Sequence, residues 1–203
     1  MNYDAQYEVK SLKYKELKGL STKQLSFHHD IHYKGYVTRR NLVHEKLKTA
    51  DKASVNANYS EFRELKKEET FNAAGQLLHE LYFDILGGDG KFSEDMEIIK
   101  KIKEDFGSFD TFKEDLTTTA KASRGWAVLC IDPTDNKLRN FLLDGHDNGG
   151  VLGAIPIIAL DVYEHAYYVD YGADKASYLT PFLNNLDWDV IEQRFSRFKT
   201  VYA

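Results

Sequence analysis

The sequence predicts an α+β fold. A long antiparallel helical hairpin comes first, then a lobe with a small three-stranded antiparallel sheet set among helices. Three observations carry that expectation. Apolar residues recur at helical spacing through the first part of the chain. Gly87-Gly88-Asp89-Gly90 then breaks the pattern. Beyond it, short apolar runs flank the turn sequence Asp132-Pro133-Thr134-Asp135-Asn136. The glycine-rich break is the expected boundary between an N-terminal α-helical hairpin domain, 1–90, and a C-terminal domain, 91–203.

Each element follows in order. Ser21-Thr22-Lys23-Gln24 has the form of a capping box, in which a hydroxyl and a Gln three residues later satisfy orphaned amides. After it, Leu25, His28, His32, Tyr36, Val43 and Leu47 mark one face of a single long helix. Ala50–Asn58 is polar and reads as a loop. A second long helix is expected from about Tyr59 to Leu86, with Phe71, Ala74, Leu78, Leu81 and Ile85 in phase. Shorter helices are expected around Ser93–Asp105 and Phe109–Ser123. The period then changes: Trp126–Ile131 and Leu138–Leu143 read as a β-hairpin, and Ile155–Leu160 as a third, buried strand. The tail returns to helix, with Tyr178, Phe182, Val190, Ile191 and Phe195 as packing positions.

Composition narrows the chemistry. The chain has 203 residues, a net charge of −5, and 13 Tyr, 12 Phe and 2 Trp. The acidic balance argues against a general nucleic-acid binder, which needs cations for phosphates. Met1–Lys10 lacks the apolar core of a secretory signal, so a cytoplasmic protein is expected. The longest apolar stretch, near Val151–Leu160, falls far short of the roughly 20 residues that span a bilayer. One cysteine, Cys130, stands against seven histidines, which excludes an intramolecular disulfide and a cysteine-rich zinc site. Metal chemistry here must use imidazole and carboxylate.

Three local patterns place such ligands. His28 and His32 lie four apart on a helix, with Tyr36 a turn further on. His79 sits beside Leu78 and Leu81 on the second helix, and Asp161 and His165 follow the last apolar run. Three imidazoles and one carboxylate suit iron, manganese or zinc. Taken singly, each also reads as structure: a core His with a hydrogen-bonded ring, or an Asp capping the next helix.

Taken together, the motifs resemble those of the iron/manganese superoxide dismutases. His28-His29-Asp30-Ile31-His32-Tyr33-Lys34-Gly35-Tyr36-Val37 is similar to that family's HHxxHHxxYV helix, and Asn72–His79 to its NNAxxxxNH segment. Phe106–Lys113 and Gly125-Trp126-Ala127 follow in the family's order. Asp161-Val162-Tyr163-Glu164-His165-Ala166-Tyr167-Tyr168 is close to DVWEHAYY, and Asp187-Trp188-Asp189 to NWD.

The resemblance implies one iron or manganese ion per subunit, iron slightly favoured, held by His28, His79, Asp161 and His165. It implies dismutation of superoxide to dioxygen and hydrogen peroxide, with Tyr36 and His32 at the substrate gateway. It also implies a homodimer, or a tetramer, with Glu164, His165 and Tyr168 at the interface: Glu164 reaches the ligand His of a second copy, and Tyr168 lies near the gateway His32. The alternative is a metal-binding, homodimeric relative with weak or no catalysis.

Four departures from the family pattern stand out. Gly75 occupies the helix position where members commonly carry Gln to partner the bound solvent. His146, in Asp144-Gly145-His146-Asp147, is expected to take that role. Phe83 and Tyr163 replace tryptophans around the metal. The Ala122–Trp126 connection is shorter than usual, and Asp174-Lys175-Ala176 replaces Arg-Arg-Pro. Superoxide is an anion and the chain is net negative, so local cations must guide it. Lys34 and Lys175 are the candidates.

Overall fold

A computed structural model describes residues 3, 4 and 6–201. Of the Met1–Lys10 stretch, Met1, Asn2 and Ala5 lie outside the described residues. Serine hydroxyls start the major helices. Ser21 Oγ accepts from the Gln24 amide at the head of α1 (Thr22–Ser26), but the Gln24 side chain does not complete the expected capping box. The Ser21 amide donates to Asp170 instead, while Gln24 donates to the His165 carbonyl and accepts from the Val169 amide. Ser60 Oγ likewise accepts from the Arg63 amide at the start of α3 (Glu61–Asp84). Ser108 Oγ accepts from Thr111 at the start of α5 (Phe109–Ala122). Each such cap contributes about 1 kcal/mol.

The first helix is not uniform. Between α1 and α2 (Lys34–Thr49) the chain winds as a π-helix over Phe27–Tyr33. The expectation of one regular α-helix is corrected there, because the wider π turn rotates the faces before and after it relative to each other. That segment carries His28 and His32, and π turns are frequent at functional sites.

The helix after the glycine-rich break starts later than its sequence suggests. α4 spans Glu97–Phe106. Ser93 instead closes a turn, accepting the amide of Met96 at its carbonyl and that of Asp95 at its hydroxyl. The Glu192 carboxylate caps α4 from a distance, accepting from the amides of Glu97 and Ile98 at 3.0 and 2.9 Å. A cap supplied by residue 192 leaves no local signal near residue 97.

The sheet has the order β2-β1-β3, antiparallel throughout, from β1 (Trp126–Ile131), β2 (Leu138–Leu143) and β3 (Ile155–Asp161). Every residue of β1 is buried, which explains its unbroken apolar run. Trp126 pairs with Leu143 on one side and Asp161 on the other. The register thus brings the end of β3 and the loop after β2 to one end of the sheet, beside Trp126. A short 3-10 turn (Glu164–Ala166), α6 (Tyr168–Tyr171), α7 (Lys175–Asn184) and α8 (Trp188–Phe198) complete the chain. Asp174 and Asp187 cap α7 and α8. Among the described residues no helix is long and apolar enough to cross a membrane.

One apolar core joins both halves. Leu78, Leu81 and Ile85 of the α3 region pack with the strands and with Phe112, Phe182 and Ile191. Cys130 lies within it, its thiol pushed up to about 12 by burial, so it is an inert packing group.

Candidate metal centre

Four side chains from three separate regions of the chain converge in the interior. His28 comes from the π-helical segment, His79 from the last two turns of α3, Asp161 from the end of β3, and His165 from the 3-10 turn. Their ligand atoms all lie within 4.8 Å of one another. From Asp161 Oδ2, the Nε2 atoms of His28, His165 and His79 lie at 3.0, 3.2 and 3.4 Å. His79 Nε2 and His165 Nε2 are 3.4 Å apart. Donors about 2.1 Å from a shared ion sit roughly 3.0–3.4 Å apart at right to tetrahedral angles. The set therefore fits one first-row ion, and its imidazole and carboxylate character suits iron, manganese or zinc.

The donors are held in place by their own neighbours. His79 Nδ1 donates to the Gly75 carbonyl at 2.6 Å, which leaves Nε2 to face the cluster. The Tyr163 amide donates to Asp161 Oδ1 at 2.9 Å, which aims Oδ2 inward. His28, His79 and Asp161 are almost wholly buried. Burial pushes the His28 imidazole down to about 4 and that of His79 well below its ordinary value. Burial alone would raise the Asp161 carboxyl, but the charge and hydrogen bonds of His165 and His28 hold it well below the usual range. Neutral imidazoles at His28 and His79 and an ionised carboxylate at Asp161 are the protonation states a cation needs.

A second layer is aromatic. Phe83 and Tyr82 lie 4.9 and 4.8 Å, ring to ring, from His28, and Trp126 stands edge-on to His79 at 5.0 Å. Tyr163 and His32 both stack on His165, at 5.2 and 4.3 Å. The positions where tryptophan was expected thus carry smaller rings that still pack against the ligands. Tyr36 lies 5.0 Å from His79 and edge-on to His146 at 4.6 Å.

His146 is brought to the same place from the loop after β2. It is 3 % exposed, and its ring sits 5.6 Å from His79, 4.8 Å from Phe71 and 4.9 Å from Tyr163. The indole Nε1 of Trp126 donates to His146 Nδ1 at 2.9 Å. An imidazole that accepts at Nδ1 and is neutral must carry its proton on Nε2. Burial pushes His146 down to about 4, so it is neutral near pH 7, and its Nε2 is buried with no partner among the described residues.

Position 75 is crowded by the Tyr36 ring. A Cβ on Gly75 would stand 2.8 Å from Cδ1 of Tyr36 and 3.0 Å from its Cγ. The helix position that commonly carries Gln in the family is therefore filled here by the Tyr36 ring. Neither the Trp126–His146 bond nor this contact had a sequence signal beyond the presence of Gly and His.

The remaining expectations are placed as follows. Glu164 and Tyr168 are exposed, and the Glu164 carboxylate accepts no hydrogen bond among the described residues. Lys175 Nζ donates to the carbonyls of Lys121 and Ser123 at 3.0 and 2.8 Å, so it closes the C-terminal end of α5. His29 donates to the Lys10 carbonyl, and His44 Nε2 lies 3.2 Å from Glu69. Both are structural.

Comparison with known proteins agrees with this geometry. Residues 6–87 match the α-hairpin domain of iron/manganese superoxide dismutases, and residues 94–194 match their C-terminal domain. A superoxide dismutase of Aquifex aeolicus (strain VF5), named for iron, is 44% identical over 194 residues, 94% of this chain and 91% of the relative. One from Aquifex pyrophilus, also named for iron, is 45% identical over 196 residues with the same coverage. A manganese-named superoxide dismutase of Haloferax volcanii is 34% identical over 178 residues, 88% of each chain. With both domains matched in order and the four donors gathered at one buried point, the chain belongs to the iron/manganese superoxide dismutase family.

Proposed function

We propose that the chain is a superoxide dismutase holding one iron or manganese ion, iron favoured, on His28, His79, Asp161 and His165. The convergence of these four donors beside Tyr36 and His146 carries the reading. When bound, the ion supplies the redox chemistry, oxidising one superoxide to dioxygen and reducing the next, with two protons, to hydrogen peroxide.

The chain's own part is to hold the ion and manage protons. His146 presents Nε2–H toward the site, because Trp126 occupies its other nitrogen. It therefore acts as a neutral hydrogen-bond donor to an oxygen at the open side. The Tyr36 hydroxyl is raised above its ordinary value by burial and by the Asp161 charge, so it stays protonated and can donate. His32, lowered by burial and by the neighbouring His165, stacks on His165 and fixes that ligand's ring plane. Tyr82, Phe83, Trp126 and Tyr163 pack around the donors, and Tyr36 and His32 lie against His79 and His165.

The exposed Glu164 carboxylate, which accepts no hydrogen bond among the described residues, supports its assignment to the ligand His165 of a second copy, with Tyr168 beside it, in a homodimer. We place the division of the chain at residues 1–90 and 91–203, and the protein in the cytoplasm. Separate reconstitution with iron and with manganese, followed by a superoxide assay on each form, tests the function. Turnover by at least one form is expected. A metal-replete protein inactive in both would sink the reading and leave a metal-binding relative.

A further inference from the structure

His165 is the donor with the least local support. It sits in a three-residue 3-10 turn followed by the four-residue α6, and helical pieces so short do not hold their own geometry. Its side chain is 13 % exposed, whereas those of His28, His79 and Asp161 are buried. His79 and Asp161 are aimed by hydrogen bonds to backbone groups nearby. Within the chain, His165 Nδ1 has no such partner among the described residues.

The support comes instead from α1, 141 residues earlier. Gln24 is buried, and its side-chain amide spans the turn. Nε2 donates to the His165 carbonyl at 2.6 Å, and Oε1 accepts from the Val169 amide at 3.0 Å. Beside it, the Asp170 carboxylate accepts from the Ser21 amide and from the Ser21 hydroxyl, each at 2.6 Å. These bonds tie residues 21–24 to 165–170 at two points. A buried amide is costly to leave unbonded, so the Gln24 pair fixes where the turn sits against α1.

We propose that Gln24 is a positioning residue for the metal ligand His165, setting the direction from which its Nε2 meets the ion. The inference rests on the dismutase reading only for the identity of the four donors. Losing the Gln24 bonds leaves the number of donors unchanged but frees the turn to shift along α1. His165 Nε2 then leaves its preferred direction, which speeds loss of the ion and alters the symmetry of the donor set. Groups that orient a ligand from behind typically account for about 10–100-fold in metal affinity.

Gln24→Met keeps the length of the side chain and removes both bonds. In the iron-loaded protein it should release iron to a chelator about tenfold faster and change the rhombicity of the ferric electron paramagnetic resonance signal. Asn185→Leu is the control. Asn185 is also a buried amide, but it bonds Lys18 and the Pro181 carbonyl and no donor. It should lower Tm and leave both readouts at wild-type values. Asp170→Ala, at an exposed position, opens only the second attachment and should speed iron release by a smaller factor, about twofold. Wild-type release with an unchanged signal in Gln24→Met, or equal changes in Asn185→Leu, would overturn the proposal. If Gln24→Met does not fold, wild-type release by Asp170→Ala overturns it. A wild-type protein that holds iron but does not turn over superoxide refutes the dismutase reading instead, and neither readout depends on turnover.

Discussion

The contact between Gly75 and Tyr36 can be tested by adding one methyl group. In Gly75→Ala the new Cβ would start 2.8 Å from Tyr36 Cδ1 and 3.2 Å from Cε1. Carbon atoms rest about 3.5–4.0 Å apart, so the ring must retreat by several tenths of an ångström. It is boxed by Phe71 at 5.9 Å, His79 at 5.0 Å and His146 at 4.6 Å, and cannot move without disturbing one of them. Two effects oppose each other. Replacing Gly by Ala inside a helix stabilises by about 1 kcal/mol, whereas overpacking a filled site costs about 1–3 kcal/mol. The net expectation runs from neutral to a loss of about 2 kcal/mol, or up to about 8 °C in Tm for a chain of this size.

Gly35→Ala is the matched control, because a Cβ there meets nothing within 4 Å. It should show the helix gain alone, so the difference between the two variants isolates the clash at about 1–3 kcal/mol. Thermal unfolding of both metal-loaded proteins measures it. Superoxide turnover of Gly75→Ala should fall several-fold, up to about tenfold, at unchanged metal content, because Tyr36 is displaced. If Gly75→Ala is as stabilising as Gly35→Ala and fully active, then the Tyr36 ring is not held by position 75, and the reasoning fails.

Other predictions address the centre itself. His79→Ala or Asp161→Ala should abolish stoichiometric metal; full occupancy by elemental analysis in either would contradict the ligand assignment. His146→Gln should change the ratio of iron-supported to manganese-supported activity while leaving occupancy intact, and an unchanged ratio would remove His146 from the proton path. In the metal-free protein, burial depresses His28 and His146 to about 4, below an unfolded value near 6.5. The unfolded chain then binds more protons, so stability is fully present above pH ~6.5 and is lost as pH falls toward ~4. Each group costs up to about 3 kcal/mol of stability at the acid end. Denaturant midpoints that stay flat from pH 7 to 4 would refute this.

Much of the fold was legible because its determinants are local. The period of Phe71, Ala74, Leu78, Leu81 and Ile85 identifies a helix and its buried side, and Ser21 and its Gln24 partner mark where one begins. β1 and β2 match their sequence expectation residue for residue, because the Asp132–Asn136 turn and the flanking apolar runs are contiguous. What was not legible rests on partners distant in sequence. The start of α4 depends on Glu192. The π turn at Phe27–Tyr33 has no Gly or Pro to announce it.

The centre divides the same way. The residue types and order of His28, His79, Asp161 and His165 were written in the motifs, and so was the departure at Gly75 and His146. That the Tyr36 ring lies against position 75 and that Trp126 fixes the His146 tautomer required the tertiary structure. Sequence alone determined the chemistry available to this protein: imidazole and carboxylate, with no thiolate ligand set. Only packing decided where those groups meet, because distances between segments are set by side chains interlocking across the core, whereas periodicity reports just the face each residue occupies.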